Sequence, residues 1–286
     1  MFPLKFIFLK NMPRPLVSII IPTRNRAALV AGAIDSVLSQ TRQAFELIVV
    51  DDGSTDTTQE ILRAYGSRIA CVRIEHAGPS AARNCGIAAA HADFIAFLDS
   101  DDRWLPRKLE RQLEYHAAHA DAAVSQTREV WIRSGVRVNA RAKHRMRSGW
   151  IYEYCLPLCI VSPSSVMIHR RVFEHVGLFD ESMPACEDYD LWLRIAPHYP
   201  IHLIDEELII KYGGHPDQQS RCVPALDRLR IRAIRKSLDS ATLNVVQRAA
   251  AATELQRKCR IYAAGCRKRG RQSEALEYET IAQSYA

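Results

Sequence analysis

The stretch Phe94-Ile-Ala-Phe-Leu-Asp-Ser-Asp-Asp102 joins an apolar run to three closely spaced carboxylates, those of Asp99, Asp101 and Asp102. The apolar run predicts a buried strand, and in open α/β sheets ligands bind at the carboxyl ends of the strands. Mg²⁺ and Mn²⁺ take oxygen ligands and share them with substrate phosphates. Taken alone, the stretch favours equally a metal–diphosphate site and a polar turn that caps a helix starting near Pro106.

Strand and helix signals alternate on both sides of this stretch, from Val17 to about Ala120. Apolar and β-branched runs predict strands at 17–21, 45–50, 69–74 and 94–98. Helical spacing predicts helices at 28–40, after a capping box of Thr57 and Glu60, at 79–90 and at 106–119. This alternation predicts an α/β fold with a Rossmann-like, mostly parallel sheet flanked by helices.

The second half of the chain has weaker periodicity. Residues 128–149 are rich in Arg and Lys and predict a long loop or a mobile hairpin over the site. Short strands are expected at 165–168, 201–204 and 208–212, with a helix at 188–196 between them. From Pro224 the sequence predicts a helical extension whose last two helices form an antiparallel hairpin, with a break near Gly265 and Gly270.

Charge and cysteine content narrow the class of protein. The net charge of +7 resides in residues 224–286, which hold 13 Lys or Arg and 6 Asp or Glu. The 8 cysteines are irregularly spaced without a CxxC pair, which argues against structural zinc and a disulfide framework and favours a reducing cytoplasm. No apolar run reaches the 18 residues that would indicate a transmembrane helix.

Three regions are expected along the 286 residues. Residues 1–14 are predicted to be a disordered or surface-associated leader, and Met12 is an alternative start. Residues 15–220 form the predicted α/β domain, and residues 221–286 form the basic helical extension. That extension is expected either to dimerise or to dock at an anionic membrane, so a position at the inner face of the membrane is a further expectation.

Polar residues follow the first, second and fourth predicted strands. They are Pro22-Thr-Arg-Asn-Arg26, Asp51-Asp-Gly-Ser54 and Asp99-Ser-Asp-Asp102. Because parallel strands end at the same edge of a sheet, these groups can converge into a nucleotide-diphosphate site. Neither a GxGxxG nor a GxxxxGK[ST] motif is present, so dinucleotide and Walker-type phosphate sites are unsupported.

Five motifs together resemble the family 2 glycosyltransferases of the GT-A fold. They are Val17–Arg26, Val49–Asp56, Gly78–Gly86, Phe97–Asp102 and Glu187–Arg194, and they span about residues 15–220 in the family's order. The resemblance implies a metal-dependent, inverting enzyme that moves a sugar from a nucleotide-diphosphate donor. The implied donor is a UDP- or dTDP-sugar, and the implied acceptor is a hydroxyl of a glycan or lipid-linked molecule in cell-surface polysaccharide synthesis.

The resemblance also assigns roles to individual residues. Asp188 is the implied general base, with Glu187 and Asp190 as nearby substitutes, and a helix cap is the alternative role for Asp188. Asp101, Asp99 and His215 are the implied ligands of Mg²⁺ or Mn²⁺. The implied contacts of the nucleotide sugar are Pro22, Thr23, Asn25, Arg26, Asp51, Asp52, Arg83, Asp99 and Ser100.

Two other classes of protein share some of these features. A sugar-nucleotide pyrophosphorylase uses similar nucleotide chemistry, but it usually carries a Gly-rich basic loop where this chain has Pro22-Thr-Arg-Asn25. A basic nucleic-acid- or membrane-binding protein would fit the C-terminal extension. The extension lacks interleaved aromatic residues, however, so no nucleic-acid partner is expected.

Overall fold

The computed structural model describes residues 14–138, 144–214, 223 and 225–285. Nine strands are found in this part of the chain: β1 Val17–Thr23, β2 Phe45–Asp52, β3 Ala70–Ile74, β4 Phe94–Phe97, β5 Arg103–Trp104, β6 Val124–Arg133, β7 Val136–Val138, β8 Met167–His169 and β9 Ile201–Gly213. The helices of the first half are α1 Val30–Leu38, α2 Thr58–Ala64, α3 Pro79–Ala89 and α4 Lys108–Ala118. The later helices are α5 Tyr152–Cys155, α6 Arg170–Val176, α7 Glu187–Ile195, α8 Leu226–Asp239, α9 Val245–Lys268 and α10 Gln272–Ser284.

The strands form one sheet in the order β3-β2-β1-β4-β8-β6-β9-β5, and β7 pairs with β6. The first four strands along the chain are mutually parallel, and β6 is parallel to β9. The antiparallel pairs involve β8, β5 and β7. The predicted α/β class with a mostly parallel sheet is therefore confirmed.

Two hydrophobic clusters cover the two faces of the sheet, and β1 contributes to both. Ile19 and Ile21 pack with Ile34 of α1, whereas Ile20 packs on the other face with residues of α3 and α7. Side chains of a strand alternate between faces, so a central strand covered on both sides needs apolar residues at every position. This requirement explains the apolar run Ile19–Ile21, which follows the single buried polar residue Ser18.

The structure corrects two local predictions and favours one alternative of a third. The two strands expected at 201–204 and 208–212 are one strand, β9, whose register with β6 shifts near Arg128. The capping box of Thr57 and Glu60 does not form; instead the carboxylate of Asp56 accepts the backbone N–H of Thr58 at 3.0 Å. Of the expected loop or hairpin at 128–149, the described part begins as the β6–β7 hairpin.

The C-terminal helices pack against the part of the chain that contains the sheet. Leu229, Ile234 and Leu255 belong to the same hydrophobic cluster as Ile20 of β1. Helices α9 and α10 form the predicted antiparallel hairpin, in which Tyr262 donates to Glu274 at 2.6 Å. The predicted boundary at 220/221 stays a prediction. No described helix has both the length and the apolar character needed to cross a bilayer.

Candidate functional site

The turns that follow β1 and β2 are joined by hydrogen bonds. Thr23 lies opposite Asp51 in the sheet, which brings the two turns to one edge. The backbone N–H of Asn25 donates to Ser54 Oγ at 2.9 Å, and Asn25 Oδ1 accepts the N–H of Thr55 at 2.8 Å. Asn25 adopts φ 51°, a conformation that Asn tolerates better than most residues. The hydroxyl oxygen of Thr23 is buried and has no hydrogen-bond partner among the described residues.

Asp51 and Asp52 both face into this edge, but they hold different segments. Asp51 accepts the N–H of Ser54 and the side-chain amide of Gln59, each at 3.0 Å. Its carboxylate therefore fixes the turn and the start of α2. Because Asp51 is 1% exposed, it acts from beneath the site rather than from its surface.

Asp52 anchors the loop before α3. Its carboxylate accepts the N–H groups of Ala77 at 2.7 Å and Gly78 at 3.0 Å, and it lies 2.8 Å from His76 Nδ1. The loop approaches the turn after β2 so closely that a Cβ at Gly53, where φ is +69°, would lie 2.9 Å from the backbone nitrogen of His76. The contact of Asp52 with a nucleotide base stays a prediction.

Arg83 links the carboxylate turn to helix α7. Its buried guanidinium donates to Asp99 at 2.9 Å and to Glu187 at 2.7 Å. Burial alone would lower the pKa of Arg83, but these two carboxylates outweigh burial and raise it above its ordinary value. Arg83 therefore stays charged, and in this structure it contacts carboxylates. Its predicted contact with the base or diphosphate stays a prediction.

The carboxylates of Asp99 and Glu187 respond differently to Arg83. Burial raises the pKa of Glu187, and Arg83 opposes that effect without cancelling it. Burial also acts on Asp99, but the charges of Arg83 and Lys211 outweigh it and hold the pKa of Asp99 below its ordinary value. Asp99 is therefore a firmly ionised group that is already bonded to the protein.

Asp102 is the most enclosed carboxylate of the turn. It accepts the Ser164 hydroxyl at 2.7 Å and the N–H of Tyr212 at 3.3 Å, and Lys211 Nζ lies 3.5 Å away. Burial raises the pKa of Asp102 to about 7, and the ammonium of Lys211 opposes the rise. Because Ser164 Oγ also accepts the N–H of Asp99 at 3.1 Å, one hydroxyl bridges both ends of the turn.

Asp101 is the carboxylate of the turn that remains available. It lines a cleft of about 80 Å³ with Leu29, Arg103 and Tyr212, and within the described chain no other residue donates a hydrogen bond to it. Burial raises the pKa of Asp101, and the neighbouring charge of Asp99 adds to this effect. The described residues contain no cluster of three or more His, Cys, Asp or Glu that could hold a metal ion.

One free carboxylate nevertheless fits the chemistry of Mg²⁺ and Mn²⁺. Mg²⁺ is commonly held through one or two carboxylates together with substrate phosphates rather than by an all-protein cage. Asp101 supplies such a ligand, whereas Asp99 is bonded to Arg83. His215, the third predicted ligand, lies outside the described residues.

Asp188 lies in the first turn of α7 with its two oxygens in different environments. Oδ1 accepts the N–H of Tyr189 at 2.7 Å, which resembles the capping role weighed for this residue. Oδ2 accepts the Cys159 thiol at 3.3 Å, a weak donor that leaves the oxygen able to take a proton. The half-buried side chain therefore combines a local helix contact with a reactive oxygen.

The neighbouring acids of α7 are engaged elsewhere. Glu187 is bonded to Arg83, and Asp190 is bonded to Arg194 at 3.0 Å and lies 2.7 Å from Lys236 of α8. Asp190 thus ties α7 to the C-terminal helices. Of the three acids, Asp188 is the best placed to act as a base.

The remaining predicted residues lie around the same edge. Pro22 is half-buried at the end of β1, Ser100 is buried within the carboxylate turn, and the backbone N–H of Arg26 donates to Thr58 Oγ1 at 3.0 Å. Sequence reasoning missed Ser164 and Lys211. A single lysine inside the apolar run 208–212 was the available signal for Lys211, whereas Ser164 carries no such signal.

Comparison with known proteins identifies relatives of the chain. A family model described as glycosyl transferase family 2 matches residues 18–177. An uncharacterized glycosyltransferase of Rickettsia felis is 33% identical over 218 residues, covering 74% of this chain and 36% of the relative. The chain thus spans about a third of that relative's length. In Escherichia coli, the UDP-Glc:alpha-D-GlcNAc-diphosphoundecaprenol beta-1,3-glucosyltransferase WfaP is 33% identical over 186 residues, covering 63% of this chain and 70% of WfaP.

Solved structures share the fold. TarS of S. aureus in complex with UDP-GlcNAc superposes with a TM-score of 0.68 at 19% identity, covering 85% of this chain and 71% of TarS. The mannosyltransferase PcManGT of Pyrobaculum calidifontis, in complex with GDP-Man and Mn²⁺, gives a TM-score of 0.57 at 16% identity, covering 95% of this chain and 88% of PcManGT.

Proposed function

Because the chain belongs to glycosyl transferase family 2, we propose that it transfers a sugar from a nucleoside-diphosphate donor to a hydroxyl of a glycan or lipid-linked acceptor, with inversion at the anomeric carbon. One observation carries the assignment. Arg83 connects the turn that presents Asp101 to the helix that presents Asp188, so a metal ligand and a base flank one buried cation.

The donor would bind across the polar edge of the sheet. Its nucleoside would lie beside Thr23 and the loop that Asp52 anchors, where the buried Thr23 hydroxyl lacks a partner. Its diphosphate would lie near Asp101. A bound Mg²⁺ or Mn²⁺ would act there as a Lewis acid that offsets the charge of the leaving diphosphate. Asp101 would hold this cation, with Asp99 and His215 as the further predicted ligands.

Asp188 would supply the base. Its Oδ2 takes the proton of the acceptor hydroxyl as that oxygen forms a bond to C1 of the sugar from the face opposite the diphosphate. The bond from C1 to the diphosphate oxygen breaks at the same time, and its electron pair leaves with the nucleoside diphosphate. A single displacement inverts C1 without a covalent enzyme intermediate.

Names of the relatives suggest the class of substrate. WfaP and WfgD of Escherichia coli are UDP-Glc:alpha-D-GlcNAc-diphosphoundecaprenol beta-1,3-glucosyltransferases, and TuaG of Bacillus subtilis, 43% identical over 106 residues, is a putative teichuronic acid biosynthesis glycosyltransferase. We therefore assign this chain to cell-surface polysaccharide synthesis at the cytoplasmic face of the membrane, with a UDP- or dTDP-sugar as donor.

The basic C-terminal helices would support this location through contact with anionic lipid, or would form a homodimer. Arg228, Arg232 and Arg235 of α8 are exposed. Cosedimentation of the full chain with anionic and neutral liposomes separates these uses. Binding to neither liposome, together with dimerisation in sedimentation velocity, would leave only the homodimer.

Calorimetric titration of UDP, dTDP and GDP, each with and without Mn²⁺, tests the donor site. We expect Mn²⁺-dependent binding of UDP or dTDP, and we expect Asp101→Asn to remove the Mn²⁺ dependence because it removes the free carboxylate ligand. Asp93→Asn, at an exposed carboxylate paired with Arg14, is the matched control and should bind as the wild type does. Binding that is equally strong without Mn²⁺ would contradict the metal role.

A further inference from the structure

Lys211 places a nearly buried ammonium beside the carboxylate turn. Its side chain is 16% exposed, and Nζ donates to Ser162 Oγ at 2.8 Å and lies 3.5 Å from Asp102 Oδ2. The aromatic ring of Trp131, which is opposite Lys211 in the β6–β9 pair, lies 5.3 Å from the ammonium. A charge this enclosed is costly unless it is paired, so the contact with Asp102 is needed to keep Lys211 in place.

The charge of Lys211 acts on the whole turn. It favours the ionised forms of Asp99, Asp101 and Asp102, and these carboxylates in return raise the pKa of Lys211 above its ordinary value against the effect of burial. Glu129 of β6 acts on Lys211 in the same direction, after Asp102 and ahead of the other two. Lys211 is therefore a cation beside the three carboxylates of the turn, which a nucleoside diphosphate has to approach.

The contacts of Asp102 also connect Lys211 to the rest of the turn. It holds Asp102 together with two other groups, the Ser164 hydroxyl and the backbone N–H of Tyr212. Ser164 in turn contacts Asp99, so the end of β9, the turn and the segment around Ser164 form one hydrogen-bonded unit. Loss of the ammonium would leave Asp102 buried beside Asp101 without its cation.

We infer that Lys211 is a positioning residue of the donor site, which uses its ion pair with Asp102 to offset the charge of the carboxylate turn and thereby admit a nucleoside diphosphate. This inference rests on the proposed function, since it needs a diphosphate to bind near Asp101. It assigns Lys211 no contact with the diphosphate. The ammonium acts through Asp102, with which it forms an ion pair at 3.5 Å.

Opposite effects on the two ligands are expected from Lys211→Met. Binding is measured at about pH 8.5, above the pKa of about 7 of Asp102, so that the carboxylates of the turn are ionised. Without the ammonium the turn is then more negative by one charge, so Mn²⁺ alone, titrated by electron paramagnetic resonance, should bind as tightly as in the wild type or more tightly. UDP in saturating Mn²⁺ should bind about tenfold more weakly, because like charges repel more strongly in a partly buried site. A variant that merely unfolds would lose both ligands together.

Two further variants separate charge compensation from direct phosphate binding. Adding Asp102→Asn to Lys211→Met removes the unpaired carboxylate and should restore UDP binding to within about threefold of the wild type, the non-additive result expected for a coupled pair. Lys211→Arg keeps the charge and should bind UDP nearly as the wild type does. If Lys211 held the phosphate itself, Asp102→Asn would restore nothing.

Lys108→Met is the matched control. Lys108 is also a buried lysine, but it donates to Gln112 at 2.6 Å and burial holds its pKa well below the ordinary value. Its loss should leave the binding of Mn²⁺ and UDP unchanged. Unchanged UDP binding in Lys211→Met, or no recovery in the double variant, would overturn the inference. Failure of the wild type to bind any nucleoside diphosphate would instead overturn the proposed function.

Discussion

At the scale of single residues, most charged groups of the candidate site form ion pairs with one another. Arg83 contacts Asp99 and Glu187, and Lys211 forms an ion pair with Asp102. Among the described residues this leaves Asp101 and Oδ2 of Asp188, which meets only the weak Cys159 donor, for the roles that we propose. Paired charges keep fixed positions, and a site whose groups are already oriented needs little rearrangement during the reaction. Which carboxylates stay unpaired thus depends on the ion pairs that the adjacent acids form.

A buried histidine outside this site gives a prediction for pH dependence. His116 bonds to the carbonyl of Ala122 at 3.1 Å and to Ser125 Oγ at 2.9 Å, and burial lowers its pKa to about 4 from 6.5. Between these values the unfolded chain takes up a proton that the folded chain does not. The contribution of neutral His116 to stability is therefore complete above pH 6.5 and is lost as the pH falls towards 4.

The loss from this one group should be about 2 kcal/mol between pH 7.5 and pH 5. Urea unfolding of the wild type and of His116→Gln at both values measures it, because all other titrating groups cancel in the comparison. We expect the variant to lose less stability than the wild type over this interval. An equal loss in both proteins would show that His116 is not a buried neutral group.

At the scale of elements, close packing of α3 on β1 positions Arg83 and the loop held by Asp52. Gly86 makes this packing possible, since a Cβ there would lie 2.4 Å from Ile20 Cγ2. Gly86→Ala should therefore destabilise the protein by about 1–3 kcal/mol, even though alanine favours helix.

Gly265 provides the comparison within α9. A Cβ there would meet the flexible end of Arg269 at 3.0 Å, so Gly265→Ala should stabilise the protein by up to about 1 kcal/mol. Chemical unfolding of both variants should give free-energy changes of opposite sign. Stabilisation by Gly86→Ala would mean that the packing of α3 on β1 is looser than described.

The sequence predicts those strands and helices whose burial produces a local pattern of apolar residues. The strands of 17–21 and 45–50 are recognisable because both faces of the sheet are covered, which favours consecutive apolar residues such as Ile19–Ile21 and Leu47–Val50. Strand β9 was divided in two because Asp205 and Glu207 interrupt its apolar pattern at exposed positions next to the irregularity in its register.

In the candidate site, likewise, residues with a local sequence signal are predictable, whereas contacts between residues distant in sequence are not. Clustered acids at a strand end predict a role for Asp101, whereas Asp188, in the first turn of α7, is predicted from the family resemblance of Glu187–Arg194. The role of Lys211 depends on Asp102, which is distant in sequence, and the pairing of Arg83 with Glu187 joins α3 to α7. Such partnerships arise from the tertiary fold, so the single sequence contains no pattern that specifies them.

At the scale of the whole molecule, the C-terminal helices support α7, the helix that carries the proposed base Asp188. Lys236 of α8 lies 2.6 Å from Asp180 and 2.7 Å from Asp190, and Lys258 of α9 donates to the carbonyl of Pro157 at 2.9 Å. These contacts attach the C-terminal helices to α7, which carries Asp188, and to the segments that contain Asp180 and Pro157. The extension is thus part of the framework that places the proposed base, in addition to any role at a membrane.

Sugar transfer by the Asp188→Asn variant tests whether Asp188 is the base of the proposed reaction. The wild type is assayed with UDP-, dTDP- and GDP-sugars and a GlcNAc-diphosphoundecaprenol acceptor, beside Asp188→Asn and the Asp93→Asn control. We predict that Asp188→Asn binds UDP with Mn²⁺ as the wild type does but transfers sugar at least about 100-fold more slowly, because the amide cannot take the acceptor proton. Transfer at the wild-type rate by Asp188→Asn would contradict the account.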